Sequence, residues 1–468
     1  MRITGQTIKN LGYKGASWWK EAIYEFGDIE MTEAEARACL DRYAGGPPAV
    51  TLPLRSHENR AGWYANLRPT NDLERENLVK VGQHMDELMR LPTVLAGAIM
   101  PDACPASHQL GTIPVGGVVV TKEAIHPGMH SADICCSMAI SVFDQDTDPT
   151  RLLDDGMKLS HFGPGGRARG LQFPVDGDIL NRFEGNRFLK PLISMAIEHN
   201  ATQGDGNHFF YVGRQASTGR VALVTHHGSR GPGAMLYKAG MKVAEEYRRK
   251  LSPETAPHNA WIPSETQDGQ DYWEALQIIR EWTKRSHFAI HDVVRPNPNA
   301  IWHRFWNEHN FVFRKSDGMF YHAKGATPAF KDFAYDASGF TLIPLNMAEP
   351  ILITKGLDAI NGLGFAPHGA GRNLSRTAFM GQNAHRTVED MIAEEAPGID
   401  VRYFCGVPDV SELPSAYKNA DETRRQIKEF GLAEVVDTIE PIGNIMAGDN
   451  TANAPWRIKR DAKRAARA

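Results

Sequence analysis

Asp133 and Cys136 stand three positions apart in the run Ser131-Ala132-Asp133-Ile134-Cys135-Cys136-Ser137-Met138. A hard carboxylate oxygen and a soft thiolate at that spacing, among small residues, suit one metal ion. An isolated Asp-x-x-Cys is frequent by chance, and buried cysteines ordinarily pack as small hydrophobes. Three histidines further along change the weighting. His208 ends Gly204-Asp205-Gly206-Asn207-His208, His226 opens His226-His227-Gly228-Ser229-Arg230-Gly231, and His309 lies in Glu308-His309-Asn310-Phe311. Each stands where a strand meets a turn. Five such donors suit two ions sharing a thiolate, and two ions about 3.5 to 4 Å apart can clamp the attacking and leaving oxygens of a phosphoryl transfer. His368, in Pro367-His368-Gly369-Ala370-Gly371-Arg372-Asn373-Leu374-Ser375-Arg376, adds a nucleophile. A neutral imidazole can attack phosphorus when cations hold the phosphates.

These groups need elements to hold them. The turn-bounded apolar run 113–120 reads as a strand buried on both faces, followed by strands over 138–143 and 221–224. Asn71 caps a helix whose Leu73, Leu78, Val81, Met85 and Leu88 recur at helical spacing. A short helix starts at Thr32, another lies near 187–200, and further helices are expected over 234–251, 271–287 and 418–430. Residues 252–270 form a Pro-rich connector, and a further helical stretch is read as ending at Glu308. Two glycine-rich segments, 163–170 with Arg167 and Arg169 and 226–233 with Arg230, are expected to receive anions. Neither is a Walker A loop, because no Gly-Lys-Ser/Thr follows.

Composition bounds the function. The chain has 468 residues, and Lys+Arg 52 against Asp+Glu 56 gives a formal charge of -4. No global basicity announces a nucleic-acid partner, although a local groove can still be basic. No run of 18 or more apolar residues is present, and the first residues lack the apolar core of a signal peptide. With 5 cysteines, two of them adjacent, there is no disulfide framework, and a reducing cytoplasm is the expected home. The expected architecture is one large α/β domain over 1–468, with mixed sheets around a deep metal-binding cleft. Residues 1–70 form a divergent opening segment and 456–468 a basic tail.

From about Pro101 to Gly448 the chain resembles the RtcB-type RNA ligases, the tRNA-splicing ligase family. Asp133 to Met138 matches that family's Asp-Ile-Gly-Cys-Gly-Met block, Gly206 to Phe209 its Gly-Asn-His-Phe block, and His226 to Gly231 its His-x-Gly-Ser-Arg-Gly block. His309-Asn310-Phe311 looks like its His-Asn-Tyr block, Lys324 to Thr327 matches Lys-Gly-Ala-Thr, and His368 to Arg376 keeps His-Gly-Ala-Gly-Arg-x-x-Ser-Arg intact. The resemblance implies the family's fold. It also implies an enzyme that joins RNA 2′,3′-cyclic phosphate or 3′-phosphate ends to 5′-hydroxyl ends, using GTP and two Mn(II) ions, and a monomer is expected. By carry-over, Cys136 would bridge the ions, His226 and His309 would complete one, and Asp133 and His208 the other. His368 would carry the nucleotide. Asn207 would contact its phosphate, while Phe209, Ala370 and Gly371 would wall it. Arg372, Arg376 and Arg230 are candidates for gripping phosphates, and Asp102 matches the family's Pro-Asp block.

The departures cluster around base recognition. Tyr211 stands where the family has a glutamate, Leu345-Asn346-Met347 replaces a Gly-Ser-Met turn, and Cys104 replaces a histidine. The family's C-terminal lysine is missing near Met446-Ala447-Gly448, while Cys135 and Ser137 replace glycines and are expected to crowd the metal loop. Two alternatives follow: a metal-dependent RNA end-processing enzyme (a cyclic phosphodiesterase or phosphatase) without ligation, and a non-catalytic RNA-binding paralogue.

Overall fold

The computed structural model describes residues 1–14, 17–44, 51–144, 146–297 and 300–449, so the basic tail lies outside the described residues. Its centre is a largely antiparallel sheet in the order Phe340–Ile343, Ile351–Gly356, Ala433–Met446, Phe209–Gln215, Val221–His227, Ser137–Phe143 and Ile301–Glu308, with Asp400–Tyr403 added parallel to Ala433–Met446. A second sheet runs Gly62–Ala65, Val94–Cys104, Val115–Thr121, Phe320–Lys324 and Asn310–Arg314. The expected mixed α/β class is the observed one. Near-continuous apolar runs such as Val221-Ala222-Leu223-Val224 are buried on both faces, as a strand between packed layers must be.

Two long helices back the central sheet. Arg230–Leu251 begins directly after the glycine turn that follows Val221–His227. Gln267–Val294 is longer than its sequence periodicity predicts, because the Thr266 hydroxyl caps its start by accepting from the Gly269 amide, and Pro296 disfavours helix beyond Arg295. Tyr272, Leu276, Ile279 and Trp282 bury one face of it, each contributing about 1.5–3 kcal/mol by leaving water.

Three sequence expectations change. The stretch before His309 is the strand Ile301–Glu308, not a helix; it pairs antiparallel with Ser137–Phe143, whose other edge is already taken by Val221–His227. Its aromatic residues, Trp302, Phe305 and Trp306, favour a pleated surface, and a long-range partner decided the matter. Leu73 is exposed, so the core stripe of helix Asp72–Leu88 rests on Val81, Met85 and Leu88. The helix near 187–200 shortens to Ile193–His199 behind a single 3-10 turn at Lys190–Leu192. At the N-terminal end, helices Gly5–Asn10, Trp19–Phe26 and Glu33–Ala44 close around their own core of Ile3, Ile8, Leu11, Ala22 and Leu40. Among the described residues, no helix is long and apolar enough to cross a membrane.

Candidate functional site

Sheet register brings the donors together. In an antiparallel sheet, the start of one strand lies beside the end of its neighbour. Cys136 immediately precedes Ser137–Phe143 and His208 precedes Phe209–Gln215, whereas His226 sits near the end of Val221–His227 and His309 follows Ile301–Glu308. Met138 and Phe209 both register with His226. Four donors from four strands therefore meet at one edge of the sheet. Asp133 reaches the same point from the preceding turn, and a side chain on Gly228 would collide with its carboxylate.

The resulting cluster has two donor sets, Cys136–His226–His309 and Asp133–Cys136–His208, each with its ligand atoms within 4.8 Å of one another. Cys136 Sγ lies 3.1 Å from His226 Nε2 and 3.5 Å from His208 Nε2, so it belongs to both. His226 Nε2 is 3.2 Å from His309 Nε2, and His208 Nε2 is 3.3 Å from Asp133 Oδ2. The tautomers are set from behind. His208 Nδ1–H donates to the Gln203 carbonyl at 2.6 Å, and His226 Nδ1–H donates to the Asn207 carbonyl at 3.0 Å. Both Nε2 lone pairs are thereby left facing inward, the arrangement metal-bound imidazoles use. Burial holds His226 and His309 well below the ordinary histidine pKa, reinforced by neighbouring His208 for the first and His368 for the second. Burial raises the Asp133 pKa, but the hydrogen bond and charge of His208 outweigh it, and the carboxyl settles at about 2. Burial, with the Asp133 charge beside it, pushes the Cys136 thiol well above its usual pKa. Neutral imidazoles, a carboxylate and a thiol that needs a cation to ionise are the donor set of a metal centre. The residues fit two ions sharing the sulfur.

His368 stands beside this cluster, its ring centre 4.9 Å from that of His309. Its Nδ1–H donates to Asp102 Oδ2 at 2.6 Å and its backbone amide to the same oxygen at 3.2 Å. The remaining nitrogen, Nε2, keeps its lone pair. Asp102 is fully buried in strand Val94–Cys104, and Lys418 braces the backbone around it by donating to the Pro101 and Ala103 carbonyls at 3.1 and 2.9 Å. Gly371 comes so close to the Asp102 carbonyl that a Cβ there would clash, and its φ of +77° suits glycine.

A cavity of about 420 Å³ opens from this point, a volume that fits a small-molecule ligand. Asp133, Cys136, His226, His309 and His368 line it, and so do Asn207, Phe209, Ala370, Gly371, Arg372 and Arg376. Of the sequence-derived site residues, three do not form cavity wall: His208, which touches the cluster through Cys136 and Asp133, Asp102, which lies behind His368, and Arg230. Arg372 donates through Nη1 to the Ser411 carbonyl at 2.7 Å and pairs with Glu412 at 3.8 Å, while its Nη2 is buried with no hydrogen-bond partner.

Other expectations fail. Arg230 is not in the cavity wall; it donates to the Gly163 carbonyl at 3.0 Å and supports the glycine loop. Arg167 donates to the Leu159 and Ala201 carbonyls, both at 2.9 Å, so the 163–170 segment is held by its own arginine and does not present it to an anion. Cys135 and Ser137 do not crowd the metal loop. The cost at Cys135 falls on the backbone, which takes a left-handed φ of +59° that favours glycine, and the Ser137 hydroxyl turns away to the Cys135 carbonyl at 2.9 Å and to His287 at 3.0 Å. Sequence reasoning missed Asn310 and Glu412. Asn310 ties the metal loop down through its carbonyl, which accepts from the Cys135 amide at 2.7 Å, and its Oδ1, which accepts from Gly325 at 2.7 Å. Glu412, buried, holds Arg376 at 2.6 Å. The position of Asn310 beside a candidate ligand was the one available signal; Glu412 had none.

The family model for the tRNA-splicing ligase RtcB matches residues 169–447. The chain is 26% identical over 429 residues to the tRNA-splicing ligase RtcB of Aeropyrum pernix, spanning 74% of this chain and 86% of that one. It is 26% identical over 422 residues to the protein of the same name from Thermococcus kodakarensis, with 74% and 86% covered. It is 25% identical over 380 residues to the RNA-splicing ligase RtcB of Escherichia coli, with 74% and 88% covered. With the family model covering more than half of its length, this chain belongs to the RtcB family.

Proposed function

We propose that the protein is an RNA ligase that works through a nucleotidyl-histidine. In this reading, His368 Nε2 attacks the α-phosphorus of a nucleoside triphosphate, GTP by family resemblance. An N–P bond forms, and the bond to pyrophosphate breaks. An oxygen of an RNA 3′-phosphate then attacks the same phosphorus, breaking the N–P bond and leaving the RNA end joined to the nucleotide through a diphosphate. A 5′-hydroxyl of the second RNA attacks the RNA-side phosphorus, loses its proton and expels the nucleoside monophosphate. A 2′,3′-cyclic end would first be opened by water to the 3′-phosphate. The metal ions, manganese by resemblance and held by Asp133, Cys136, His208, His226 and His309, would neutralise phosphate charge and polarise the reacting oxygens. The protein's own contribution is orientation. Asp102 fixes the tautomer of His368, Arg372 offers a free donor to phosphate, and Asn207, Phe209, Ala370 and Gly371 wall the nucleotide.

The observation that carries this reading is the buried Asp102–His368 pair beside two donor sets that share Cys136, in the wall of a nucleotide-sized cavity. A phosphodiesterase or phosphatase would need the metals but not a histidine held with one nitrogen free. The test is adduct formation from α-labelled nucleoside triphosphate with manganese, on the wild type and on His368→Ala. An acid-labile label on wild type that disappears in the variant is expected. Metal-loaded wild type that takes no label would sink ligation in favour of end processing.

A further inference from the structure

The stretch of cavity wall along strand Phe209–Gln215 runs from Phe209, whose ring centre lies 5.3 Å from that of His226, toward Tyr211, and this Tyr211 end holds polar groups for which the steps above have no use. Tyr211 and Asn444 are cross-strand partners, as are Phe209 and Met446 two residues along, so alternation turns all four side chains to one face. All four line the cavity, and so does Asn346, whose neighbour Met347 touches Asn444.

Charge and hydrogen bonding at this end are specific. The Tyr211 hydroxyl is already used, donating to the Ile439 carbonyl at 2.9 Å. The two carboxylates in the cavity wall are engaged elsewhere: Asp133 with His208, and Glu412 with Arg376 and the Tyr417 hydroxyl. Asn444 is 1% exposed; its Nδ2 leans on the Met347 carbonyl at 3.5 Å, and its Oδ1 is buried with no partner. Asn346 accepts from the Ala348 amide at 3.0 Å through Oδ1, which leaves its NH2 group for the cavity. A buried acceptor without a partner is destabilising, so a ligand that supplies the missing donor binds better for it.

We infer that this end is a base pocket that reads purines through two neutral amides and does not discriminate adenine from guanine. The inference rests on the nucleotidyl-transfer reading and deepens it. A carboxylate facing the base would favour guanine, whose N1–H and N2–H₂ both donate, and would repel the N1 lone pair of adenine. A single amide oxygen has no such preference. Asn444 Oδ1 accepts equally from the adenine amino group or from a guanine N–H, and the Asn346 amide donates to a ring nitrogen of adenine or to guanine O6. Phe209, Met446 and Met347 supply the apolar faces between which either ring packs. Selection against an analogue requires a site group left unpaired by it, and here neither purine leaves one.

The test measures equilibrium binding of ATP and GTP to His368→Ala, which cannot form the adduct, alongside labelling of wild type. The two dissociation constants are expected to agree within about tenfold, and Asn444→Asp is expected to shift the ratio toward GTP by at least about tenfold. A wild-type preference beyond tenfold for either purine would overturn the inference, as would binding of neither. Asn444→Asp that folds with an unchanged ratio would remove Asn444 as the reading residue. Because binding is read without adduct, unlabelled wild type that still binds both purines would overturn the ligase reading and leave the base pocket standing.

Discussion

At the scale of single residues, Asp102 and His368 are the pair on which the proposed mechanism turns. The carboxylate accepts from both Nδ1 and the backbone amide of His368, so it sets ring orientation and tautomer together. Asp102→Asn keeps the volume but offers an amide that can donate, allowing the proton to sit on the wrong nitrogen. The rate of adduct formation is expected to fall by up to about 10⁴-fold, the drop seen when the orienting carboxylate of a catalytic triad becomes an amide. Metal content, measured by elemental analysis, should stay at the wild-type level, since Asp102 is not among the donors. Full adduct formation in the variant would show that His368 needs no orienting partner.

Elements hold the site rigid through a second polar layer. Ser137 and Ser141 on one strand and Thr225 on the next meet His287 and His291 of helix Gln267–Val294. The contacts are Ser137 Oγ to His287 Nε2 at 3.0 Å, Thr225 Oγ1 to His287 Nδ1 at 2.7 Å and to His291 Nε2 at 2.8 Å, and Ser141 Oγ to His291 Nδ1 at 2.7 Å. The two strands that carry Cys136 and His226 are thus bolted to the helix behind them. This layer is neutral, and that makes it acid-sensitive. Burial lowers His291 to about 3, as it does His126, and lowers His130 to about 4. Above pH 6.5 these groups are neutral in both folded and unfolded chains. As pH falls below that, only the unfolded chain takes up protons until pH 3 to 4 is reached, so stability drops. Each group contributes a slope of about 1.4 kcal/mol per pH unit. Thermal melts between pH 7 and pH 5 should show Tm falling steeply, and a flat profile would mean these histidines are not held neutral by the fold.

The whole molecule is organised so that one centre ties distant parts of the chain together. The donors span Asp133 to His309, across both sides of the helix Arg230–Leu251, and the central sheet alone brings them to one edge. A ligand that binds only the folded state stabilises it by about 2.7 kcal/mol at a concentration one hundred times its dissociation constant. Chelation is therefore expected to lower Tm by several degrees, with recovery when a divalent cation is added back. A melt indifferent to chelator, in protein shown to have lost its metal, would mean that the five donors are equally well held without it.

Residue types and their order were enough to place the chain in its family. Asp133, Cys136, His208, His226, His309 and His368 were legible because each lies in a short block whose composition is dictated locally, by turns that need glycine and by ligands that need particular atoms. Helices with strong periodicity, such as Asp72–Leu88 and Gln267–Val294, were legible for the same local reason. What lay beyond the sequence depended on partners far along the chain. Ile301–Glu308 is a strand because Ser137–Phe143 pairs with it, and Arg230 and Arg167 are spent on carbonyls that the fold brings to them. Asn444 reaches the cavity wall by standing opposite Tyr211 in a sheet register that joins residues more than two hundred positions apart. A ligand's identity is written in one residue, but the direction of a side chain and the company it keeps are set by long-range packing, and only the tertiary structure decides those.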